Sequence, residues 1–125
     1  MILVDSNFLI SGTDSSSDPA RQLANWRTLG EPLATSAIAW MEFLSGPVSA
    51  ADIADMRLLL DAGILPFGDK EAAAAANLFN LIGRRRALRA DCMIAASSIT
   101  AGASLATRNL DDFRIFVPHG LQLAD

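Results

Sequence analysis

Three carboxylates in this chain stand where such a side chain is either costly or useful. Asp5 stops the apolar run Ile2-Leu3-Val4, Glu42 interrupts the apolar stretch Ala39-Trp40-Met41-Glu42-Phe43-Leu44, and Asp91 heads Cys92-Met93-Ile94-Ala95-Ala96. A fourth polar position, the amide Asn109 with Asp112 behind it, follows the apolar segment that ends at Thr107. A carboxylate taken out of water without a partner is strongly disfavoured or takes up a proton, and like charges held together oppose one another. A divalent cation reverses the sign of that argument. Mg²⁺ and Mn²⁺ favour hard oxygen ligands, and Mg²⁺ commonly takes one or two carboxylates, keeps several waters and holds a substrate phosphate. The chemistry such a set supports is in-line displacement at phosphorus, with hydroxide drawn from water and the leaving oxygen stabilised. On this reading Asp5 and Asp91 are metal ligands, and Glu42 is a further ligand or stands just behind them.

Each of these residues also has an ordinary structural role available. Asp5 could close a turn, Asp91 could cap a helix, and Glu42 could lie along a helix edge with its head in water. Asp111 and Asp112 read as partly solvated, with at most one reaching a cleft. His119, the sole histidine, reads as a surface residue and offers no second imidazole for a zinc site. Cys92, alone of its kind, reads as a small core residue rather than a nucleophile.

What positions the acids is an alternation of short apolar runs with helical patterns. The first strand covers residues 2–4, with a helical turn through Phe8, Leu9 and Ile10 after it. Asp18 as cap and Pro19 at the first helical position predict a helix carrying Leu23, Trp26 and Leu29, ended by Gly30. Residues 33–36 form a second strand, and Ser36 caps a helix over 37–45 that is apolar nearly all round and therefore buried. A helix over 50–62 closes at Gly63, and a strand over 64–67 is placed at an edge or strand end by Pro66. An alanine-rich helix over 69–82 stops at Gly83, and a helix headed by Asp91 runs to 101. Strands over 103–107 and 115–117 complete the series. Strands alternating with helices predict an α/β domain with a parallel sheet covered on both faces. Ligands in such sheets sit beyond the carboxyl ends of the strands, which is where Asp5 and Asn109 fall. Helices that follow strands begin at the same edge, which suits Glu42. Asp91 fits less directly, because no strand immediately precedes its helix.

With 125 residues, 51% of them apolar, the chain reads as one domain over 1–125 with a core that needs no staples. One cysteine fits a reducing cytoplasm, and the absence of a basic leader or a membrane-length apolar run predicts a protein of that compartment without a membrane partner. A net charge of −4 argues against nonspecific coating of nucleic acid. Of the 10 basic residues all but Lys70 are arginine, and Arg84, Arg85, Arg86 and Arg89 crowd together. A planar fork that donates two parallel hydrogen bonds suits phosphate, although a solvated helix end is the plainer reading of a charge run.

The chain resembles a known family. Val4-Asp5-Ser6-Asn7 is similar to the Asp-Thr-Asn opening of PIN-domain nucleases, and Ala39-Trp40-Met41-Glu42-Phe43 to their buried-glutamate helix. Asp91 to Ser98, and then Leu105-Ala106-Thr107-Arg108-Asn109-Leu110-Asp111-Asp112-Phe113, complete the pattern in order over nearly the whole chain. In length and motifs it resembles the VapC toxins of toxin–antitoxin pairs. The resemblance implies a three-layer α/β/α fold with a short parallel sheet of four or five strands. It implies cleavage of RNA with Mg²⁺ or Mn²⁺, and a homodimer silenced by a cognate antitoxin that often inserts a basic side chain among the acids. Asp5, Glu42 and Asp91 match the acidic triad, with Asn109 or Asp112 as a fourth member and Ser6, Asn7 and Thr107 in support. The arginines would hold RNA phosphate. Ser6 replaces the usual threonine and keeps its hydroxyl. Asn109 brings an amide oxygen without the charge of the common aspartate, which leaves a second metal open.

Four rival readings stand beside this one, the last of them a catalytically silent binding protein, which an RNA-cleavage assay distinguishes. One is a PIN-domain RNA-processing nuclease without an antitoxin. Another is a receiver-like regulatory module, but no later strand ends in aspartate and the only lysine is Lys70. A phosphatase of the haloacid-dehalogenase type would need an aspartate where Asn7 stands.

Overall fold

The computed structural model describes residues 1–124; Asp125, the last residue of the expected domain, lies outside the described residues. Five strands form one parallel sheet in the order β3-β2-β1-β4-β5, with β1 (Ile2–Val4) at its centre. β2 (Leu33–Ser36) and β4 (Ser104–Ala106) flank it, and β3 (Gly63–Leu65) and β5 (Gln122–Leu123) are the edges. Register pairs Ile2 with both Leu33 and Ser104, and Val4 with Ala106. Strand side chains alternate in direction, so β1 sends Leu3 to one face and Ile2 and Val4 to the other.

Helices cover both faces, making three layers. Against Ile2 and Val4 lie α1 (Ser6–Gly12), α2 (Asp18–Thr28) and α4 (Ala50–Leu59), through Phe8, Leu9, Leu23 and Met56. Against Leu3 lie α5 (Asp69–Leu81) and α6 (Arg89–Thr100), through Ala75, Leu78, Cys92, Ile94 and Ala95. The expected helix α3 (Ala37–Leu44) joins the layers, giving Ala39 to the second cluster and Trp40 and Phe43 to the first. Each fully buried aliphatic side chain of this kind contributes about 2 kcal/mol. Among the described residues no helix is long and apolar enough to cross a membrane.

Several expectations are corrected. Residues 115–117 are not a strand but part of a 3₁₀ turn, Arg114–His119, which follows the short helix α7 (Leu110–Phe113). Phe113 and Phe116 stand three apart and both sink into the core, a spacing a 3₁₀ turn satisfies and a strand cannot. Pro118 and Gly120, at φ 109°, end the turn, and the last strand is β5 instead. Ser17, not Asp18, caps α2, its hydroxyl accepting from the Ala20 amide at 3.1 Å. Strand β3 begins and ends earlier than expected, at Gly63 and Leu65, ahead of Pro66. α3 is not buried all round: Met41 and Leu44 are 56% and 43% exposed, because a helix shared between two layers still turns one stripe to solvent.

Asp91 does not head its helix. α6 starts two residues earlier at Arg89, with Leu88 at the cap position and no side-chain cap hydrogen bond, so capping is not what Asp91 does. Its place follows from direction rather than from a preceding strand. α6 ends at Thr100, just before β4 enters at the edge where Ser104 meets Ile2. Its first turn therefore lies at the opposite edge, beside Asp5.

Candidate active site

The site forms where β1, β2 and β4 end. Asp5 follows β1 directly, and its carboxylate Oδ1 caps α1 by accepting the Ser6 amide at 2.7 Å. Its other oxygen, Oδ2, accepts the Thr107 hydroxyl at 2.8 Å, and the Asp5 amide donates to the Ala106 carbonyl at 2.9 Å. The Thr107 hydroxyl in turn accepts the Asn109 amide at 3.0 Å. Asp5 is thus fixed from both sides and is only 2% exposed. Burial lifts its carboxyl above the ordinary range, and the hydrogen bonds from Thr107 and Ser6 pull partly the other way.

Glu42 reaches the edge because Ser36 starts α3 at the end of β2, accepting the Ala39 amide at 3.0 Å, and Glu42 lies on the next turn. Its carboxyl is also raised, first by burial, with the Ser6 hydroxyl lowering it and the charge of Asp5 raising it further. Asp91 shows the strongest effect. Burial and then the charges of Asp5, Asp112 and Glu42 push it up to about 6. The four acids thus share the side of the sheet where the strands end, near enough for the other three charges to act on Asp91. The burial of Cys92 raises its thiol, with Asp91 adding to the rise, as suits a core residue rather than a nucleophile.

The remaining expected residues divide. Asn109 is half-buried at the N-terminus of α7, where its main chain does the visible work: its carbonyl accepts the Asp112 and Phe113 amides at 3.1 and 3.2 Å. Asp112 is exposed, yet its charge reaches Asp91; Asp111 lines the same groove, so both aspartates rather than one reach it, and Asp111 pairs there with Arg114 at 3.1 Å. Asn7 is exposed on α1 and makes no hydrogen bond to the acids among the described residues. Arg84, Arg85 and Arg86 are exposed just before α6, hence on the acidic side of the sheet, with Arg84 in the left-handed region at φ 59°. Arg89 lies over the Phe79 ring at 5.1 Å instead of standing free. His119 is exposed, as expected.

Thr35 is a residue that motif reading passes over. Fully buried on β2, it donates its hydroxyl to the Val4 carbonyl at 2.6 Å and pins the backbone just ahead of Asp5. No local signal marked it, because β2 carries two hydroxyls, Thr35 and Ser36, and only packing shows which one braces β1.

Do these residues suit a divalent cation? Among the described residues no group of three or more acidic, histidine or cysteine side chains closes into a metal cage. The donor set is nonetheless all hard oxygen, and none of the ion pairs among the described residues involves Asp5, Glu42, Asp91 or Asp112. Arg108, the nearest cation in sequence to Thr107, donates to Ser11 Oγ at 3.0 Å instead. A half-buried set of like charges without a basic partner fits an ion that takes one or two carboxylates and keeps its waters.

Comparison with known proteins agrees with this fold. The model of the PIN domain matches residues 2–116. The chain belongs to the PIN-domain family. No curated protein sequence matches it. Among solved structures it is similar to a toxin–antitoxin complex from Klebsiella pneumoniae, at 24% identity over 90% of each chain and a TM-score of 0.71. It is also similar to FitAcB from Neisseria gonorrhoeae, at 24% identity over 100% of this chain and 97% of that one, TM-score 0.70. VapBC2 from Rickettsia felis, bound to a DNA fragment from their promoter, matches over 99% and 98% at 20% identity with a TM-score of 0.75. At these identities the likeness is one of fold, and the PIN fold is what it shares.

Proposed function

We propose that this PIN domain, over residues 1–125, is the toxin of a toxin–antitoxin pair and a divalent-metal-dependent endoribonuclease of the cytoplasm. The observation that supports the reading best is the placement of Asp5, Glu42 and Asp91 at one sheet edge, with Asp5 held by the Thr107 hydroxyl and none of the three in an ion pair among the described residues. Asp5 and Asp91 are the metal ligands. Glu42 stands beside them, where its raised affinity for protons suits it to accept one from an attacking water. Thr107 and Ser6 orient Asp5, and Asp112, rather than Asn109, supplies the fourth negative charge. Mg²⁺ or Mn²⁺ bound there supplies a water activated toward attack and stabilisation of the leaving oxygen. The exposed Arg84, Arg85 and Arg86 hold the RNA backbone by charge-assisted hydrogen bonds.

Support for the toxin reading comes from the toxin–antitoxin complexes among the similar structures. An acidic edge without its own cation suits an antitoxin that inserts a basic side chain, and exposed Met41 and Leu44 on α3 suit a homodimer. Induction of the native chain without its antitoxin is expected to arrest growth and fragment RNA, and Asp5→Ala to do neither. Undisturbed growth with RNA still cut by the native chain would leave an RNA-processing PIN nuclease without an antitoxin. Equal arrest by Asp5→Ala would remove the catalytic reading.

A further inference from the structure

A cavity of about 430 Å³ opens beside the acidic edge, between α2 and the chain after β4. Its volume lies within the range of about 300–1,000 Å³ common for small-molecule sites. Thr107, whose hydroxyl holds Asp5, forms part of its lining, so the cavity begins one side chain from the candidate metal ligand. Leu110 and Arg114 belong both to it and to the adjoining groove that carries Asn109 and Asp112, which makes the two continuous.

The walls are of two kinds. Phe8 and Trp26 stack with ring centroids 5.8 Å apart and planes 24° from parallel. Phe8 is buried and Trp26 half-exposed, so Trp26 is the outer ring of the pair. Gln22 lies one turn earlier on the same face of α2, and with Arg114 it places an amide and a guanidinium at the lining. Both side chains are exposed; Arg114 also donates from Nη1 to Asp111 Oδ1 at 3.1 Å, which leaves its other N–H groups for a ligand.

We infer that this cavity is a nucleobase subsite, which receives one unstacked base of a single RNA strand whose phosphate lies at the Asp5 edge. An aromatic platform with hydrogen-bonding groups around it is the usual means of holding a splayed base, and stacking tolerates any base while the amide and guanidinium read its edge. The inference rests on the ribonuclease reading for its substrate, but its test needs no turnover. A short apolar side chain from a protein partner would match the apolar part of the cavity but offer nothing to the Gln22 amide or to the Arg114 N–H groups that Asp111 does not take, so the base is the better fit.

The test uses the chain's two tryptophan indole N–H signals in nuclear magnetic resonance, with Trp40 as the internal control. Trp40 is buried on α3 with Arg57 at 5.0 Å over its ring, away from the cavity. With Mg²⁺ present, adenosine 5′-monophosphate, which has no phosphodiester to cut, is expected to shift the Trp26 signal and leave Trp40 in place, whereas ribose 5-phosphate shifts neither. Arg114→Ala should weaken the nucleotide titration about tenfold, the loss of one charge-assisted contact, and Arg114→Lys should recover part of it. Equal shifts from the two ligands, no shift from the nucleotide, or a Trp26 shift from N-acetylleucinamide alone would each overturn the inference. If the native chain cuts no RNA while adenosine 5′-monophosphate still shifts Trp26, the ribonuclease reading falls and the base site stands. If RNA is cut in an Asp5-dependent way and Trp26 does not respond, the reverse holds.

Discussion

The two edges of the sheet treat their carboxylates in opposite ways. At the edge where the strands begin, Glu31 meets the amino terminus of Met1 at 2.7 Å, and Asp61 accepts the Leu33 amide at 2.8 Å. These acids are partnered and help to hold β2 in place. At the edge where the strands end, Asp5, Glu42, Asp91 and Asp112 lie on one side of the sheet and none of them has an ion-pair partner among the described residues. Partnered acids at one end and crowded acids at the other distinguish structure from function more clearly than charge alone, because the sheet is the same and the residue types are the same. The crowded end works against folding, and the buried β1 residues Leu3 and Val4 offset it.

Substitutions at the two ends should therefore separate activity from stability. The largest expected effect is at Asp5. Asp5→Asn keeps a good helix cap for α1 and removes the charge, so RNA cleavage should fall by at least about 10²-fold while the melting temperature is kept. Next comes the support around it. Thr107→Val removes the hydroxyl that holds Asp5 Oδ2, and cleavage should drop about 10- to 100-fold, the range for residues that orient a metal ligand. Thr35→Val acts one step further back through the Val4 carbonyl and should reduce cleavage less than Thr107→Val does.

The opposite end should show the inverse pattern. Asp61→Ala leaves the Leu33 amide without its acceptor and should lower stability by about 1 kcal/mol, with cleavage unchanged at a temperature where both proteins are folded. An equal loss of cleavage at Asp61 and Thr107 would erase the distinction between the ends.

The smallest effect is one of pH. Asp91, pushed up to about 6, holds a proton in the folded state that the unfolded chain releases nearer its ordinary value. Folding is thus favoured by protonation below that window, and stability falls as pH rises through it, with the loss complete above about 6. Asp91→Asn should stabilise the metal-free protein by about 1 kcal/mol at neutral pH, after allowance for solvent screening of a half-exposed group. At about pH 4 the gain should vanish. Thermal melts in chelator at the two pH values measure it, and a gain larger at the acidic pH would contradict the origin given for the shift.

Much of this arrangement was legible in the residues. Apolar runs stopped by Asp5, and at Thr107 just ahead of Asn109, marked strand ends, and parallel pairing placed them side by side. Ser36 as a cap put Glu42 within two helical turns of the same edge. Asp91 was the harder case: local pattern could not say that α6 runs back from that edge, since its position depends on the strand that follows rather than on one before. Residues 115–117 misled because β-branched and aromatic residues favour strands, while Phe113 and Phe116 satisfied their burial through a 3₁₀ spacing. The exposure of Met41 and Leu44 and the bracing by Thr35 were out of reach of local pattern, because both depend on which elements pack against a face. Asn109 and Asp112 were left as alternatives by their types. In the structure Asn109 braces Thr107 and α7 through its main chain, and Asp112 lies exposed in the same groove.

The account depends most on the crowded edge being a place where a divalent cation and RNA meet. Cleavage of a single-stranded RNA pool by the purified chain, in Mg²⁺ and then in excess chelator, with Asp5→Asn alongside, tests that directly. The native chain should cut in Mg²⁺, stop in chelator and resume when Mg²⁺ is restored, with Asp5→Asn at least about 10²-fold slower throughout. Undiminished cutting in chelator, or an Asp5→Asn protein as fast as the native one, would contradict it.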